Sequence, residues 1–370
     1  MAVQARVALV HDWVTSFGGA ERCLIQLHAL FPTAPIYTLV HDKRQTPAEL
    51  GDAHIITSPL QGLPGAVTDY QKYVAAMPYA IEQFDLRRFE LIVSSSHAVA
   101  KGVLTHFGQQ HLCYCYTPMR YVWDLYHTYL EQTRLSPLAG KAFRAAAHYL
   151  RQWDYASAQR VDKFLAISDT VRRRVKHTYG REAPVVYPPV DTDFFTPDPG
   201  AVRDYYLVVS RFVPYKRVDL VVEAFNHRDD KLLIAGDGPL AARLKKQARG
   251  NIEFLGPVTD ADLRKLYQNC RALVFPAEED FGLTPVECMA CGRPVVALGY
   301  GGAAETVVDG QTGVHFAEQT AVALDEALDR ERGLNLSAEA CRERALLFDQ
   351  ALFQAKIRAA AEFLLNAPKP

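Results

Sequence analysis

Apolar residues fall along this chain in short blocks, and the blocks alternate with stretches in which they recur every three or four positions. The first block runs from Arg6 to Val10. A loop containing Gly18-Gly19 follows it, and then Ala20, Leu24, Leu27 and Phe31 at helical spacing. Leu91-Ile92-Val93 and Leu112 to Tyr116 read as buried strands. In the second half Tyr205 to Val209, Leu232 to Ala235, Ile252 to Leu255, Ala272 to Phe275 and Val295 to Leu298 are short, apolar and bounded by turn residues. Helical patterns such as Val218, Val221, Val222 and Phe225 lie between them. Strand–helix alternation predicts an α/β fold with parallel sheets covered on both faces.

One stretch breaks the alternation. Pro184, Pro188, Pro189, Pro197 and Pro199 follow one another closely, and proline fixes φ and removes a ladder donor. The stretch is predicted as a linker between two α/β domains, and a final helical segment runs from Ala351 to Leu365. Two such domains around a hinge make a cleft, with ligands at the carboxyl ends of the strands.

Composition narrows the function. The chain has 370 residues, 49% hydrophobic and 22% charged, which fits a folded protein of two domains. Its formal net charge of −1 provides no global field for bulk nucleic acid, so anion recognition must be local. No apolar run has membrane-spanning length, and no signal-peptide pattern is present, since His11 and Asp12 break the opening stretch. Seven cysteines, an odd count, fit reduced thiols in a cytoplasm.

Four segments carry candidate chemistry. Gly18-Gly19 opens the first helix, where backbone N–H groups could meet a phosphate, or it is an ordinary turn. Arg211 and Lys216 flank a proline turn after the strand at Tyr205 to Val209. They could converge on a pyrophosphate, or be solvated surface cations. Gly236-Asp237-Gly238-Pro239-Leu240-Ala241 fits the dinucleotide pattern G-x-G-x-x-A, but the next strand ends at Leu255-Gly256 with no acid there. A tight turn near a nucleotide is the better reading. The strongest signal is Glu279 to Glu287, two glutamates separated by seven residues across a strand–loop–helix junction. Thr284 is predicted to cap the helix, with Pro285 at its first position. Carboxylates there could accept hydrogen bonds from a polyhydroxylated ligand, and Gly282 and Leu283 could offer N–H groups to a phosphate.

Together the E-x7-E segment, Arg211…Lys216, Gly18-Gly19 and Gly301-Gly302-Ala303-Ala304-Glu305 resemble the retaining GT-B glycosyltransferases of family 4. The text from Ser94 to Gly102, from Tyr116 to Asp124 and from Glu279 to Gly282 is most similar to bacterial GDP-mannose-dependent α-mannosyltransferases, which assemble O-antigens and exopolysaccharides. The resemblance implies two Rossmann-like domains: an acceptor domain at 1–186, with the helix at 350–365 packed back on it, and a nucleotide-sugar domain at 187–349. It implies mannose transfer from GDP-mannose to a glycan or lipid-linked acceptor, with no cofactor and no metal. Arg211 and Lys216 would hold the donor diphosphate and stabilise its departure, and Glu279 would face the transferred sugar. Glu287 would bind the ribose and Val258 the base, with Phe281, Gly282 and Leu283 at the nucleotide sugar. Gly18 and Gly19 would approach the diphosphate, and Arg120 and Asp124 would serve the acceptor. Many members carry histidine where Tyr116 stands here. A phenol can donate a hydrogen bond but is not cationic at neutral pH. His97 either supplies that function or is a satisfied histidine at a helix start.

Alternative readings are a UDP-sugar transferase, a phosphorylase or epimerase of the same shape, and a non-catalytic nucleotide-sugar-binding subunit. Cys288/Cys291 and Cys113/Cys115 lack histidine partners at zinc spacing and read as core thiols. Ten basic residues between Lys141 and Arg181 are opposed there only by Asp154, Asp162 and Asp169. They form either a solvated face or a contact with an anionic membrane, with the protein peripheral on the cytoplasmic face.

Overall fold

The computed structural model describes residues 6–132 and 136–367. The chain divides into two compact units, Met1–Tyr187 with Phe353–Pro370, and Pro188–Leu352. In the first unit the order is β1 (Val7–His11), α1 (Gly19–Leu30), β2 (Ile36–Thr38), β3 (Ile55–Thr57), α2 (Met77–Ile81), β4 (Leu91–Ser96), β5 (Gln110–Cys115), α3 (Tyr126–Gln132), α4 (Pro137–Ala158), β6 (Lys163–Ala166) and α5 (Asp169–Tyr179). The second unit runs β7 (Tyr205–Val209), α6 (Val218–Phe225), β8 (Leu232–Ala235), α7 (Ala241–Gln247), β9 (Ile252–Gly256), α8 (Asp260–Asn269), β10 (Cys270–Phe275), α9 (Leu283–Ala290), β11 (Val295–Leu298), α10 (Ala303–Thr306), β12 (Gly313–Phe316), α11 (Ala321–Gly333) and α12 (Ala338–Leu346). The last helix, α13 (Gln350–Asn366), returns to the first unit, where Phe353 meets Tyr114 of β5 with ring centroids 5.3 Å apart.

Each unit holds one six-stranded sheet whose strand pairs are parallel, in the orders β3-β2-β1-β4-β5-β6 and β12-β11-β10-β7-β8-β9. Both are the Rossmann order, reversing direction between the first and fourth strand of the unit. Ligands of such sheets bind outside the carboxyl ends at that crossover. β1, β4 and β8 are buried at every position, as strands covered by helices on both faces must be. Val218, Val221, Val222 and Phe225 of α6 join the core against β7 and β8, which is the helical stripe of the sequence.

Three differences from the sequence reading have local causes. β2, β3, β6 and β12 were not expected: β2 and β3 have three residues each, and β6 and β12 carry Lys163 and His315 where the equally short β8 and β11 are apolar throughout. The proline-rich stretch is more than a linker: Ala166 donates to the Pro184 carbonyl, Val186 donates back to Ala166, and Val190 bridges Asp349. Proline forbids only its own N–H, so neighbours still pair. Helix α9 begins at Leu283 with Gly282 at its N-cap, so Thr284 lies inside the first turn and does not cap it. Gly282 has φ +84°, the left-handed region that glycine adopts freely. Pro285 is tolerated there because first-turn N–H groups have no intrahelical acceptor.

Most cations between Lys141 and Arg181 find partners, some inside that window, as Arg172 and Arg173 with Asp169, and some beyond it. Arg160 pairs with Glu82, Arg174 with Asp124 and Lys176 with Glu182, while Arg151 and Arg181 donate to backbone carbonyls. Lys141 and Arg144 stay exposed on α4. All seven cysteines are free thiols and buried. Among the described residues no helix is long and apolar enough to cross a membrane.

Candidate active site

In the second unit the crossover separates β7 from β10, and the loops leaving these two strands carry the cations and the first glutamate. After β7, Pro214–Lys216 forms a single tight turn that swings Lys216 back, and its ammonium pairs with the Glu279 carboxylate from the loop after β10. Both side chains keep partial solvent access, 18% and 22%. The Arg211 guanidinium is exposed and makes no hydrogen bond or ion pair with a described residue. Its backbone is pinned by the Gly236-Asp237-Gly238 turn, where Phe212 donates to the Asp237 carbonyl at 2.8 Å. Gly236 has φ +125°, and a Cβ there would collide with the Ser210 carbonyl. The G-x-G-x-x-A pattern therefore serves close approach between two loops, as a tight turn.

The loop after β10 is held the same way. Gly302 donates its N–H to the Glu279 carbonyl at 2.8 Å. A Cβ on Gly302 would overlap the backbone of Phe281, so the Gly301-Gly302 pair forms the seat on which Glu279 to Phe281 lie. Phe281 itself is buried against Phe348, with ring centroids 5.7 Å apart, so it contributes packing to this loop. Glu287 is buried in α9, and its Oε2 accepts from the Tyr267 hydroxyl at 2.9 Å. Burial first, and the Glu287 charge second, push the Tyr267 phenol well above its ordinary value, so it stays a donor. Val258 is half-buried between β9 and α8.

In the first unit the crossover lies between β1 and β4. Asp12, buried just beyond β1, accepts four backbone N–H groups from His97, Ala98, Val99 and Ala100 at 2.7 to 3.0 Å. It therefore fixes the turn after β4. The His97 Nδ1 lies 3.1 Å from Asp12, and its ring stands edge-on to Trp13. Burial lowers the His97 pKa against the opposing pull of Asp12, so it is a neutral hydrogen-bonding imidazole at neutral pH. Tyr116 is buried, and its hydroxyl donates to the Ala20 carbonyl at 3.0 Å. Where a histidine would hold a cation, this phenol ties the start of α1 to β5. Gly18 is the N-cap of α1 and Gly19 its first residue. Glu21, in that first turn, is buried, and His11 Nε2 lies 4.0 Å from its carboxylate.

The two residues expected at the acceptor sit on the loop after β5. Arg120 is half-buried, and Asp124 pairs with Arg174 of α5 at 2.7 Å. Asp124 also lines a cavity of about 450 Å³ with Trp123, Arg151 and His177. The His97 and Tyr116 rings lie 6.1 Å apart and the Tyr116 hydroxyl reaches the start of α1, whereas the partner of Asp124 is Arg174.

His11, Asp12 and Glu21 escaped the sequence reading. The signal available was a charged pair directly ending an apolar strand and an acid in the first turn after Gly18-Gly19. The expectation that the chain has no Asp-x-Asp pair is wrong, for it holds two: Asp191-Thr192-Asp193, where Asp191 accepts from the Phe194 N–H, and Asp260-Ala261-Asp262 in the first turn of α8. Among the described residues no group of three or more His, Cys, Asp or Glu side chains is placed to hold a metal ion.

Residues 192–345 match the model of the family described as Glycosyl transferases group 1. An uncharacterized glycosyltransferase of Methanocaldococcus jannaschii is 30% identical over 158 residues, 41% of this chain and 44% of the relative. A D-inositol 3-phosphate glycosyltransferase of Mycobacterium bovis is 33% identical over 218 residues, 50% of this chain and 45% of the relative. The chain thus spans less than half the length of these curated relatives. Among solved structures, the Anabaena protein HepE in complex with UDP-glucose is similar at a TM-score of 0.71 and 19% identity, covering 97% of this chain and 100% of that one. Sucrose-phosphate synthase of Thermosynechococcus elongatus is similar at a TM-score of 0.74 and 17% identity, covering 99% of this chain and 100% of that one. At such identities the likeness is one of fold, and it is the GT-B class with two Rossmann-like units.

Proposed function

We propose that this chain is a glycosyltransferase that moves a sugar from a nucleotide-sugar donor to a glycan or lipid-linked acceptor, retaining the anomeric configuration and using no metal ion. The observation that carries the reading is the Lys216–Glu279 pair with the exposed Arg211 beside it in the chain, at the β7/β10 crossover and inside the segment that matches the group 1 model. A crossover of this kind is where nucleotides bind. Lys216 and Arg211 supply positive charge to a diphosphate, and Glu279 supplies an acceptor for sugar hydroxyls. Gly282 and Leu283 add orphan N–H groups at the start of α9, and Glu287 adds a carboxylate for the ribose. As the bond between the anomeric carbon and the phosphate oxygen breaks, the departing phosphate takes the proton of the acceptor hydroxyl. The new bond forms on the same face. Lys216, held by Glu279, and Arg211 take over the charge-stabilising work that a divalent ion would otherwise do, so activity is expected to survive EDTA.

Mannose from GDP-mannose is the donor that the mannosyltransferase resemblance favours. A UDP-sugar is the second reading, favoured by the UDP and UDP-glucose complexes of the similar Anabaena protein. Titration calorimetry with GDP, UDP, GDP-mannose and UDP-glucose separates them. One nucleoside diphosphate is expected to bind at least tenfold more tightly than the other, and its sugar is expected to be turned over. Binding of neither overturns the proposal. We place the enzyme on the cytoplasmic side of a membrane, touching it peripherally through the exposed face of α4.

A further inference from the structure

Two carboxylates are buried at the carboxyl end of β1, and their surroundings differ. Asp12 is fully committed to four backbone N–H groups and His97. Glu21 is 5% exposed and makes no hydrogen bond with a described residue. The His11 Nε2 lies 4.0 Å from its carboxylate, outside hydrogen-bond reach. His11 is fully buried. Its Nδ1 is held at 2.6 Å by the Ser95 hydroxyl, and its Nε2 has no partner.

Buried polar groups are nearly always paired, and the enclosed, unpartnered His11 Nε2 that faces the Glu21 carboxylate is an exception. Two purely structural duties for Glu21 fail to account for its burial. Favouring the α1 dipole requires only an acid near the helix start, and an exposed one serves. A capping box would have the Glu21 carboxylate accept from the Gly18 N–H, and no such bond is made. Gly18 matters in another way. A Cβ at that position would come within 3.3 Å of Glu21 Oε2, so glycine keeps the carboxylate approachable from the loop.

We infer that Glu21 contacts substrate, accepting a hydrogen bond from a carbohydrate hydroxyl, and that His11 is a positioning residue behind it, oriented by Ser95. The inference rests on the glycosyltransferase reading. A carboxylate beside orphan helix N–H groups suits a hydroxyl, which can donate to the acid and accept from the backbone, whereas a phosphate would be repelled by Glu21. The hydroxyl belongs to the donor sugar or to the acceptor.

The test uses the full chain with Glu21→Gln, His11→Asn and His11→Gln, and it reads nucleoside-diphosphate affinity, melting temperature, donor hydrolysis and transfer. Glu21→Gln is expected to lower kcat/KM for transfer about 10–100-fold, the range for a hydrogen bond to a charged group. Nucleoside-diphosphate affinity stays within about twofold and the melting temperature is unchanged. A raised acceptor KM with intact donor hydrolysis assigns the hydroxyl to the acceptor, and loss of both assigns it to the donor sugar. Asparagine at position 11 keeps a partner for Ser95 but lacks Nε2, while glutamine reaches the Nε2 position, so His11→Gln is expected to retain more activity than His11→Asn. Wild-type kinetics in Glu21→Gln overturn the inference, as does a loss matched by equal losses in nucleotide affinity and melting temperature. A wild-type chain that binds no nucleoside diphosphate overturns the glycosyltransferase reading and this inference with it.

Discussion

Lys216 and Glu279 come from loops 63 positions apart and meet as an ion pair, so neither can be altered without changing the other's field. A leaving nucleoside diphosphate gains negative charge as its bond to the sugar breaks, and cations aimed at it stabilise the transition state more than the ground state. Lys216→Ala and Arg211→Ala are each expected to lower kcat by about 10²–10³, the size seen for one preorganised charge donor. Arg211→Lys is expected to recover only part, because an ammonium lacks the guanidinium fork. If the pair acts as a unit, Lys216→Ala combined with Glu279→Ala costs less than the sum of the two, by a coupling of about 0.5–3 kcal/mol. Steady-state kinetics with the donor varied check all four. Raised KM with unchanged kcat in both alanine variants would reduce these cations to donor binding. Residue by residue, the second unit was legible because Arg211, Lys216, Glu279 and Glu287 each lie within a few positions of a strand end or helix start. The first unit was not, because the work of Asp12 is done on N–H groups 85 to 88 positions away. Nothing local to Asp12 announces four partners, and nothing local to Tyr116 announces that its hydroxyl is spent on Ala20.

Strands were legible where the run was apolar throughout. β7, β8 and β11 have the bounds that their apolar runs predict, while the three-residue β2 forms against the edge of β1, and the three-residue β3 forms against β2. The helix starts show a different limit. Ser168 caps α5 and Thr259 caps α8, each accepting from the N–H three residues on. Thr284 has the same chemistry and does not cap, because the left-handed Gly282 turns the chain two residues earlier. The glycines of Gly301-Gly302 carry the most consequence at this scale, since one backbone seats another on them. Gly302→Ala is expected to force the Glu279–Phe281 segment outward and cost about 1–3 kcal/mol, the usual range for overpacking. Turnover should fall with it, since Glu279 moves. Gly250→Ala, where a Cβ meets nothing within 4 Å, is expected to leave both stability and turnover unchanged. Chemical denaturation of the two variants, with kinetics in parallel, checks the pair. Equal behaviour would mean the seat relaxes without disturbing the loop.

Over the whole molecule, both units repeat one strand order, and in both the candidate residues collect where that order reverses. Fold class was therefore readable from alternation alone, but pairing order was not, because apolar runs do not say which neighbour a strand takes. The same scale decides the membrane question. A formal net charge of −1 gives no long-range attraction to an anionic surface, so any preference must come from a local patch. Most cations between Lys141 and Arg181 are committed to Glu82, Asp124, Asp169, Glu182 or backbone carbonyls. What remains outward on α4 is Lys141 and Arg144 beside the exposed Leu138, Tyr149 and Tyr155. Each cation near an anionic leaflet contributes roughly 1 kcal/mol, so the pair contributes about 2 kcal/mol, roughly 30-fold in partition. Flotation is expected to favour phosphatidylserine-containing vesicles over neutral ones. Raising the salt should erode that preference as the Debye length shrinks. Lys141→Glu with Arg144→Glu is expected to abolish it, while Arg174→Ala, which removes a cation already paired with Asp124, should leave it nearly intact. Equal partition of the wild-type chain into both vesicle types would make the α4 face a solvated one. Loss of preference in Arg174→Ala as well would shift the contact from α4 to the basic segment as a whole.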